Sequence, residues 1–199
     1  YDPSRMIIVY GDMANEPAGS LRMAVSTDQG QTWKKITAPF PSPELVANGL
    51  VDPGTPIFFD KNNGVLPVEI ATYSSDASTT ERVLAVYSTS NGGLTWTTNS
   101  TVLAGASNRS YGDFVTLKDG FSPCNSALCV THDGGQTWTP QPESLSFTAT
   151  DTGEWVQKFS FVDAANGWAI TTDENNQYNL YTTSDAGETW TRLSPGLVP

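Results

Sequence analysis

A chain of 199 residues with 38% hydrophobic and 11% aromatic side chains can bury a globular core within one or two ordinary domains. Its formal charge of −11, from 10 Lys and Arg against 21 Asp and Glu, argues against nucleic acid or an anionic membrane surface as partner. No run of about 18 apolar residues is present to span a bilayer, so membrane insertion is not expected.

In chain order, the first predicted elements are strands over Met6–Tyr10, Leu21–Ser26 and Trp33–Thr37. The stretch Pro39–Pro56 is rich in prolines and glycines and reads as the weakest strand candidate, with Glu44–Ala47 suited to one turn. A second set of strands follows at Thr55–Phe59, Val65–Tyr73, Arg82–Ser88 and Trp96–Leu103. A third, compact set reads as Asp113–Leu117, a short strand near Phe121, Ala127–Thr131 and a strand from Trp138. The last set is Val156–Val162, Gly167–Thr172, Asn179–Thr183 and a strand from Trp190. No segment holds a 3.6-residue apolar period, so no helix is predicted. The units run about 1–38, 55–103, 112–142 and 156–195 within one domain.

Each unit contains one copy of a short motif: Ser26-Thr-Asp-Gln-Gly-Gln-Thr-Trp33, Thr89-Ser-Asn-Gly-Gly-Leu-Thr-Trp96, Thr131-His-Asp-Gly-Gly-Gln-Thr-Trp138 and Thr183-Ser-Asp-Ala-Gly-Glu-Thr-Trp190. Its parts have separate physical tasks. Asp28, Asn91, Asp133 and Asp185 can accept hydrogen bonds from the amides of their own turn. Gly30, Gly93, Gly135 and Gly187 permit positive φ. Ser26 and the threonines at the same place add a second local bond. Trp33, Trp96, Trp138 and Trp190 open the next strand and are expected to bury their rings between layers. A second pattern precedes two of the motifs: Phe58-Phe-Asp-Lys-Asn-Asn-Gly-Val65 and Phe161-Val-Asp-Ala-Ala-Asn-Gly-Trp168. Both read as strand, turn, strand. The third unit is read as having lost the Phe-x-Asp turn, which leaves its first half undefined.

The motif resembles the Asp box, or BNR repeat, of β-propellers, a group that includes sialidases, xyloglucanases, the sortilin luminal domain and the photosystem II stability/assembly factor. The Phe-x-Asp-x-x-x-Gly-Trp pattern followed by a box is similar to the repeat of the assembly factor, most closely in the second half of the chain. The opening Asp2-Pro-Ser-Arg-Met-Ile-Ile-Val-Tyr10 resembles a strand of the xyloglucanase and sortilin repeats. The resemblance implies an all-β propeller of four-stranded antiparallel blades, about four to five in this chain. Its boxes would be structural and lie away from the working face. The first unit begins at the second strand of a blade, and no spare strand completes it. Either the chain is a piece of a larger propeller or it forms a small closed ring. The start at Tyr1, without Met, fits a processed or excised piece.

The propeller logic puts the boxes, Asp60 and Asp163 on one face. The longer loops lie on the other and carry over half of the acids, with Arg109 nearly their only interior cation. Trp155 and Tyr111 sit where loops enter innermost strands, suited either to stacking a sugar or protein group or to ordinary strand-end packing. The candidate binding residues are therefore Trp155, Tyr111, Arg109, Asp52, Asp151 and Glu154. Sialidase chemistry would need an arginine triad, and the arginines are only Arg5, Arg22, Arg82, Arg109 and Arg192, none in that family's opening motif. A glycoside hydrolase would need two opposed carboxylates, and Asp52, Asp113, Asp151 and Glu154 are the candidates by location. The favoured expectation is a non-catalytic binding or assembly module for a protein or glycan partner, with no cofactor and no metal; the hydrolase is the alternative. Cys124 and Cys129 are either a short disulfide or two buried thiols. With the low lysine content and the sequons at Asn99 and Asn108, the disulfide fits a secreted or cell-envelope protein.

Overall fold

The computed structural model describes residues 4–10, 20–42, 45, 49–73, 80–99, 101–106, 112–142, 145–147 and 153–194. Among these residues helical geometry is confined to Leu45, and everything else regular is strand. Sheet 1 has three strands in the order β1 (Met6–Tyr10), β2 (Ser20–Ser26), β3 (Lys34–Pro39). Sheet 2 is built on β6 (Gly64–Tyr73) and β7 (Thr80–Thr89). Two short strands, β4 (Gly49–Pro53) and β5 (Ile57–Phe58), share the outer side of β6, and β8 (Thr97–Thr98) and β9 (Leu103–Ala104) share that of β7. Sheet 3 runs β10 (Asp113–Phe114), β11 (Gly120–Cys124), β12 (Ala127–Thr131), β13 (Thr139–Pro140). Sheet 4 runs β14 (Glu154–Phe161), β15 (Gly167–Asp173), β16 (Tyr178–Thr183), β17 (Thr191–Leu193). The pairings among the described strands are all antiparallel.

The sheets stack face to face in chain order through three apolar layers. Leu21, Met23 and Ala38 of sheet 1 pack on Leu66, Val68, Ile70 and Tyr87 of sheet 2. Val65, Leu84 and Val86 meet Phe114, Cys124 and Cys129 of sheet 3. Phe121, Leu128 and Val130 meet Val156, Phe161 and Ala169 of sheet 4. The middle strands are therefore buried on both faces: β6 opens with a buried run, Val65–Ala71. The end sheets alternate, as in β15, where Gly167 and Ala169 are buried and Trp168 and Ile170 exposed. That is the pattern of a strand with one face covered.

Several expectations need correction. β4 lies inside the stretch 39–56 read as unlikely to form strand; as an edge strand it tolerates Pro53, whose missing N–H costs no ladder bond there. The third unit has kept its first turn. Phe114-Val-Thr-Leu-Lys-Asp-Gly120 stands in the register of Phe58–Gly64 and Phe161–Gly167, since Gly64, Gly120 and Gly167 pair with Thr89, Thr131 and Thr183. Thr116 replaces the aspartate: its Oγ1 accepts from the amides of Lys118 (3.0 Å) and Asp119 (2.8 Å) and donates to Asp119 Oδ2 (2.8 Å). Consequently β10 ends at Phe114 rather than Leu117. The continuous strand expected over 96–103 is two short ones. Of the turn suggested at 44–47, only Leu45 lies among the described residues.

Candidate functional site

The box end of the molecule is built from interlocked turns. In the first box, Gly30 N donates to Ser26 Oγ (2.8 Å) and Thr32 N to Asp28 Oδ1 (2.9 Å), while the Thr32 hydroxyl donates to Asp28 Oδ2 (2.6 Å). The same three bonds recur on Asp133 and Thr131 and on Asp185 and Thr183. In the second box Asn91 does both tasks, accepting from Thr95 N (2.9 Å) and donating Nδ2 to Thr95 Oγ1 (2.8 Å). Residues four and five of each box are both left-handed: Gln29, Gly92, Gly134 and Ala186 at φ 61, 71, 73 and 61°, then Gly30, Gly93, Gly135 and Gly187 at 85–87°. Glycine is common to all four boxes only at the fifth place, where a Cβ on Gly93, Gly135 or Gly187 would lie 2.4, 2.7 or 2.5 Å from Ile7, Val86 or Leu128 of the preceding sheet.

Each box is also latched to the other turn of its sheet. The amide of its fourth residue donates to a carbonyl: Gln29 to Ser4, Gly92 to Asn62, Gly134 to Lys118 and Ala186 to Ala165, at 2.7–2.9 Å. Arg5 crosses from sheet 1, donating Nη1 to the carbonyls of Lys61 (2.8 Å) and Gly92 (3.1 Å). A groove of about 390 Å³ runs beside it between Met6, Ile7, Thr55, Pro56 and Phe58. Electrostatically these turns are anionic and self-satisfied. The Thr32 hydroxyl and amide hold Asp28 down at about 2, and those of Thr137 hold Asp133 at about 2. Asp185, Asp60 and Asp163 are lowered in the same way, by Thr189, Asn63 and the Ala165 amide respectively.

The box tryptophans are not equivalent. Phe58–Trp96, Phe114–Trp138 and Phe161–Trp190 each form an edge-to-face pair with centroids 6.0–6.1 Å apart. Trp96 is 3% exposed, but Trp33 is 39% exposed, contrary to its expected burial. Among the described residues, sheet 1 has no strand carrying the corresponding phenylalanine. Met6, in the register of Gly64, Gly120 and Gly167, stands near the box instead, its Sδ 3.3 Å from a Cβ built on Gly30.

Of the candidate binding residues, Tyr111, Arg109 and Asp151 lie outside the described residues. Asp52 is exposed on β4, and Trp155 and Glu154 are half-buried at the start of β14. The structure places Asp52 and Glu154 in separate polar groups on different sheets. Asp52 is in register with Glu69, which is buried and paired with Arg82. Burial raises the Glu69 carboxyl, against the pull of Arg82, and the Asp52 charge adds to the rise. Glu154 accepts from the Thr171 hydroxyl, Asn179 Nδ2 (2.8 Å) and Tyr181 OH (3.2 Å), and Arg192 holds Asn179 from the other side. Burial, then the Glu154 charge, raises the Tyr181 phenol. Asp113 Oδ2 accepts the Phe161 amide at 2.6 Å, tying sheet 3 to sheet 4. Sequence reading passed over Glu69 and Arg82. Glu69 stands alone as a charge among the apolar residues of Val65–Ala71, and that is the signal that could have found it. Among the described residues no three His, Cys, Asp or Glu side chains are grouped to hold a metal ion, and no helix is long and apolar enough to cross a membrane. Cys124 and Cys129 form a disulfide, with Cα atoms 5.7 Å apart.

Antiparallel sheets that stack face to face, two of them four-stranded, with an Asp- or Asn-containing turn closing each box, define the class of Asp-box β-propeller repeats. Residues 24–35 and 130–140 match the BNR/Asp-box repeat, and the chain carries this repeat. Among solved structures it is similar to YCF48 bound to a D1 peptide, at 17% identity and a TM-score of 0.39, over 86% of this chain and 60% of that one. It is also similar to Trypanosoma rangeli sialidase in complex with 2,3-difluoro-KDN, at 16% identity and a TM-score of 0.49, over 94% of this chain and 34% of that one. The same sialidase as its covalent intermediate with 2,3-difluorosialic acid matches at 16% and 0.45, over 87% and 32%. The chain thus spans 60% of the first of these proteins and about a third of the sialidase. Curated protein sequences yield no match.

Proposed function

We propose that this protein is a non-catalytic Asp-box propeller module that holds a protein or glycan partner on the acidic loops opposite its boxes. One observation carries the reading. Three of the described carboxylates that a hydrolase could draw on are engaged by the scaffold: Asp113 by the Phe161 amide, Glu154 by Thr171, Asn179 and Tyr181, and Glu69 by Arg82. A hydrolase needs two carboxylates opposed across an open cleft, about 5–9.5 Å apart. The reading takes Asp52, exposed on β4, and Trp155, half-buried at the start of β14, as its contact residues. The Cys124–Cys129 disulfide supports an extracellular or cell-envelope location.

The test pairs two assays. Incubation with a β-glucan panel should release no reducing sugar. Binding to a glycan array and to a basic protein should give a signal that weakens in high salt, as screening shortens the reach of surface charge. Asp52→Asn and Trp155→Ala should weaken it further without changing the fold. Hydrolysis that disappears in Glu154→Gln would replace the binding reading with the glycosidase.

A further inference from the structure

The three internal junctions repeat one contact. The box glycine of each sheet faces an apolar side chain of the sheet before it: Gly93 faces Ile7, Gly135 faces Val86 and Gly187 faces Leu128. Val86 and Leu128 both stand three residues before the first residue of their own box, and in sheet 4 that position is Leu180. Around it on the same face lie Ile170 and Leu193, which are in register with Leu180, and Trp168. Trp168 is 41% and Ile170 39% exposed. The positions equivalent to Trp168 in the inner sheets are Val65 and Phe121, and both are buried against the following sheet. Sheet 4 therefore presents an apolar socket with none of the described residues seated on it.

Sheet 1 presents the matching part. Among the described residues, only Met6 and Trp33 come within 4 Å of a Cβ built on Gly30. Ile8, on the same side of the sheet, is 49% exposed, although its equivalents Leu66, Ser122 and Ala169 are buried. Of the ten exposed large apolar side chains among the described residues, six lie on the two outward faces of the array: Met6, Ile8 and Trp33 at one end, Trp168, Ile170 and Tyr178 at the other.

We propose that a second copy of this chain docks head to tail, its sheet 1 seated on sheet 4 of the first, with Gly30 over Leu180 as Gly187 sits over Leu128. The occupant follows from continuity with the internal junctions: the sheet that fits an open sheet 4 is one with a box glycine and an apolar first strand, and sheet 1 is such a sheet. The contact is heterologous, so two different patches take part and each chain contributes both.

Sedimentation of the full chain over a hundredfold concentration range should show the mass rising from monomer to dimer or above. Ile8→Lys alone and Ile170→Glu alone should each remain monomeric while keeping the urea midpoint of the parent, since both side chains are exposed. An equimolar mixture of the two variants should associate again. One junction in the mixture is then wild type, and the other sets the introduced lysine against the introduced glutamate. A parent chain that stays monomeric throughout overturns the proposal. So does association that survives Ile170→Glu but not Ile8→Lys, the signature of like ends meeting.

Discussion

A Cβ placed on Gly187 would lie 2.5 Å from Cδ2 of Leu128, across the junction between sheets 3 and 4. Leu128 is fully buried, and Gly187 is at φ +85°. Backbone strain and overlap therefore act together. Gly187→Ala should lose at least about 2 kcal/mol of stability, the range for a non-glycine residue held in the left-handed region plus overpacking. Gln29, at φ 61°, is the converse case. Gln29→Gly should gain up to about 1 kcal/mol by relieving the left-handed penalty. Urea midpoints read both, and a stable Gly187→Ala would mean that the glycine answers only to turn geometry elsewhere in the box.

The box aspartates predict an acid limb of known sign. Asp28 and Asp133 titrate at about 2 in the folded chain, well below the ordinary value of 3.8, and Asp185 is also lowered. A depressed folded value gives stability that is complete above the unfolded value and is lost as pH falls toward the folded one. Stability should drop between about pH 4 and pH 2. Asn91 already fills this place in the second box, so Asp28→Asn, Asp133→Asn and Asp185→Asn together should preserve the fold and flatten that drop. Urea melts at three pH values decide the matter: an unchanged acid slope would assign it to other carboxylates.

Identical motif residues should differ in worth. Trp96→Ala should cost about 3–5 kcal/mol, as for other large side chains removed from a packed core. Trp33→Ala should cost about 1 kcal/mol, since its ring is substantially exposed and has no described phenylalanine at its edge. Equal losses would indicate that Trp33 is covered in solution.

The Cys124–Cys129 bridge closes a very short loop, with a sequence separation of 5. Replacing both cysteines by alanine should cost about 2 kcal/mol, the chain-entropy value for so small a ring. Alkylation of the unreduced, denatured protein should label no thiol, and labelling at both positions would remove the bridge.

Much of this architecture was legible because the chain writes it locally. An Asp or Asn, a Gly and a Trp at fixed offsets specify a turn whose bonds are made largely within the motif, so the boxes mark the strands on either side. The first turn of sheet 3 escaped because its geometry needs an acceptor and a reciprocal partner rather than particular letters: Thr116 with Asp119 does what Asp60 does with Asn63. β4 escaped because Gly49 and Pro53 read as breakers, whereas at an edge they are harmless. The different exposure of Trp33 was not legible at all, because it depends on what stacks against sheet 1 rather than on the motif itself. The pairing of Glu69 with Arg82 likewise depends on the β6–β7 register, which sets Glu69 opposite Leu84 and Arg82 opposite Ala71, so that the two meet diagonally across the strands. For the candidate site, composition pointed to a face, while the grouping of Glu154 with Tyr181 and Asn179 required the sheet.

Among the described residues, each sheet is built from strands that are consecutive in the chain. The consequence is kinetic. Each sheet can assemble its ladder and its two latched turns from neighbouring sequence, and only the docking of finished sheets demands long-range closure, so the slow step falls at the junctions. Opening should follow the same hierarchy, with amide exchange fastest in β1 and β17, at the outer ends of the array, and slowest in β6 and β7, enclosed on both sides.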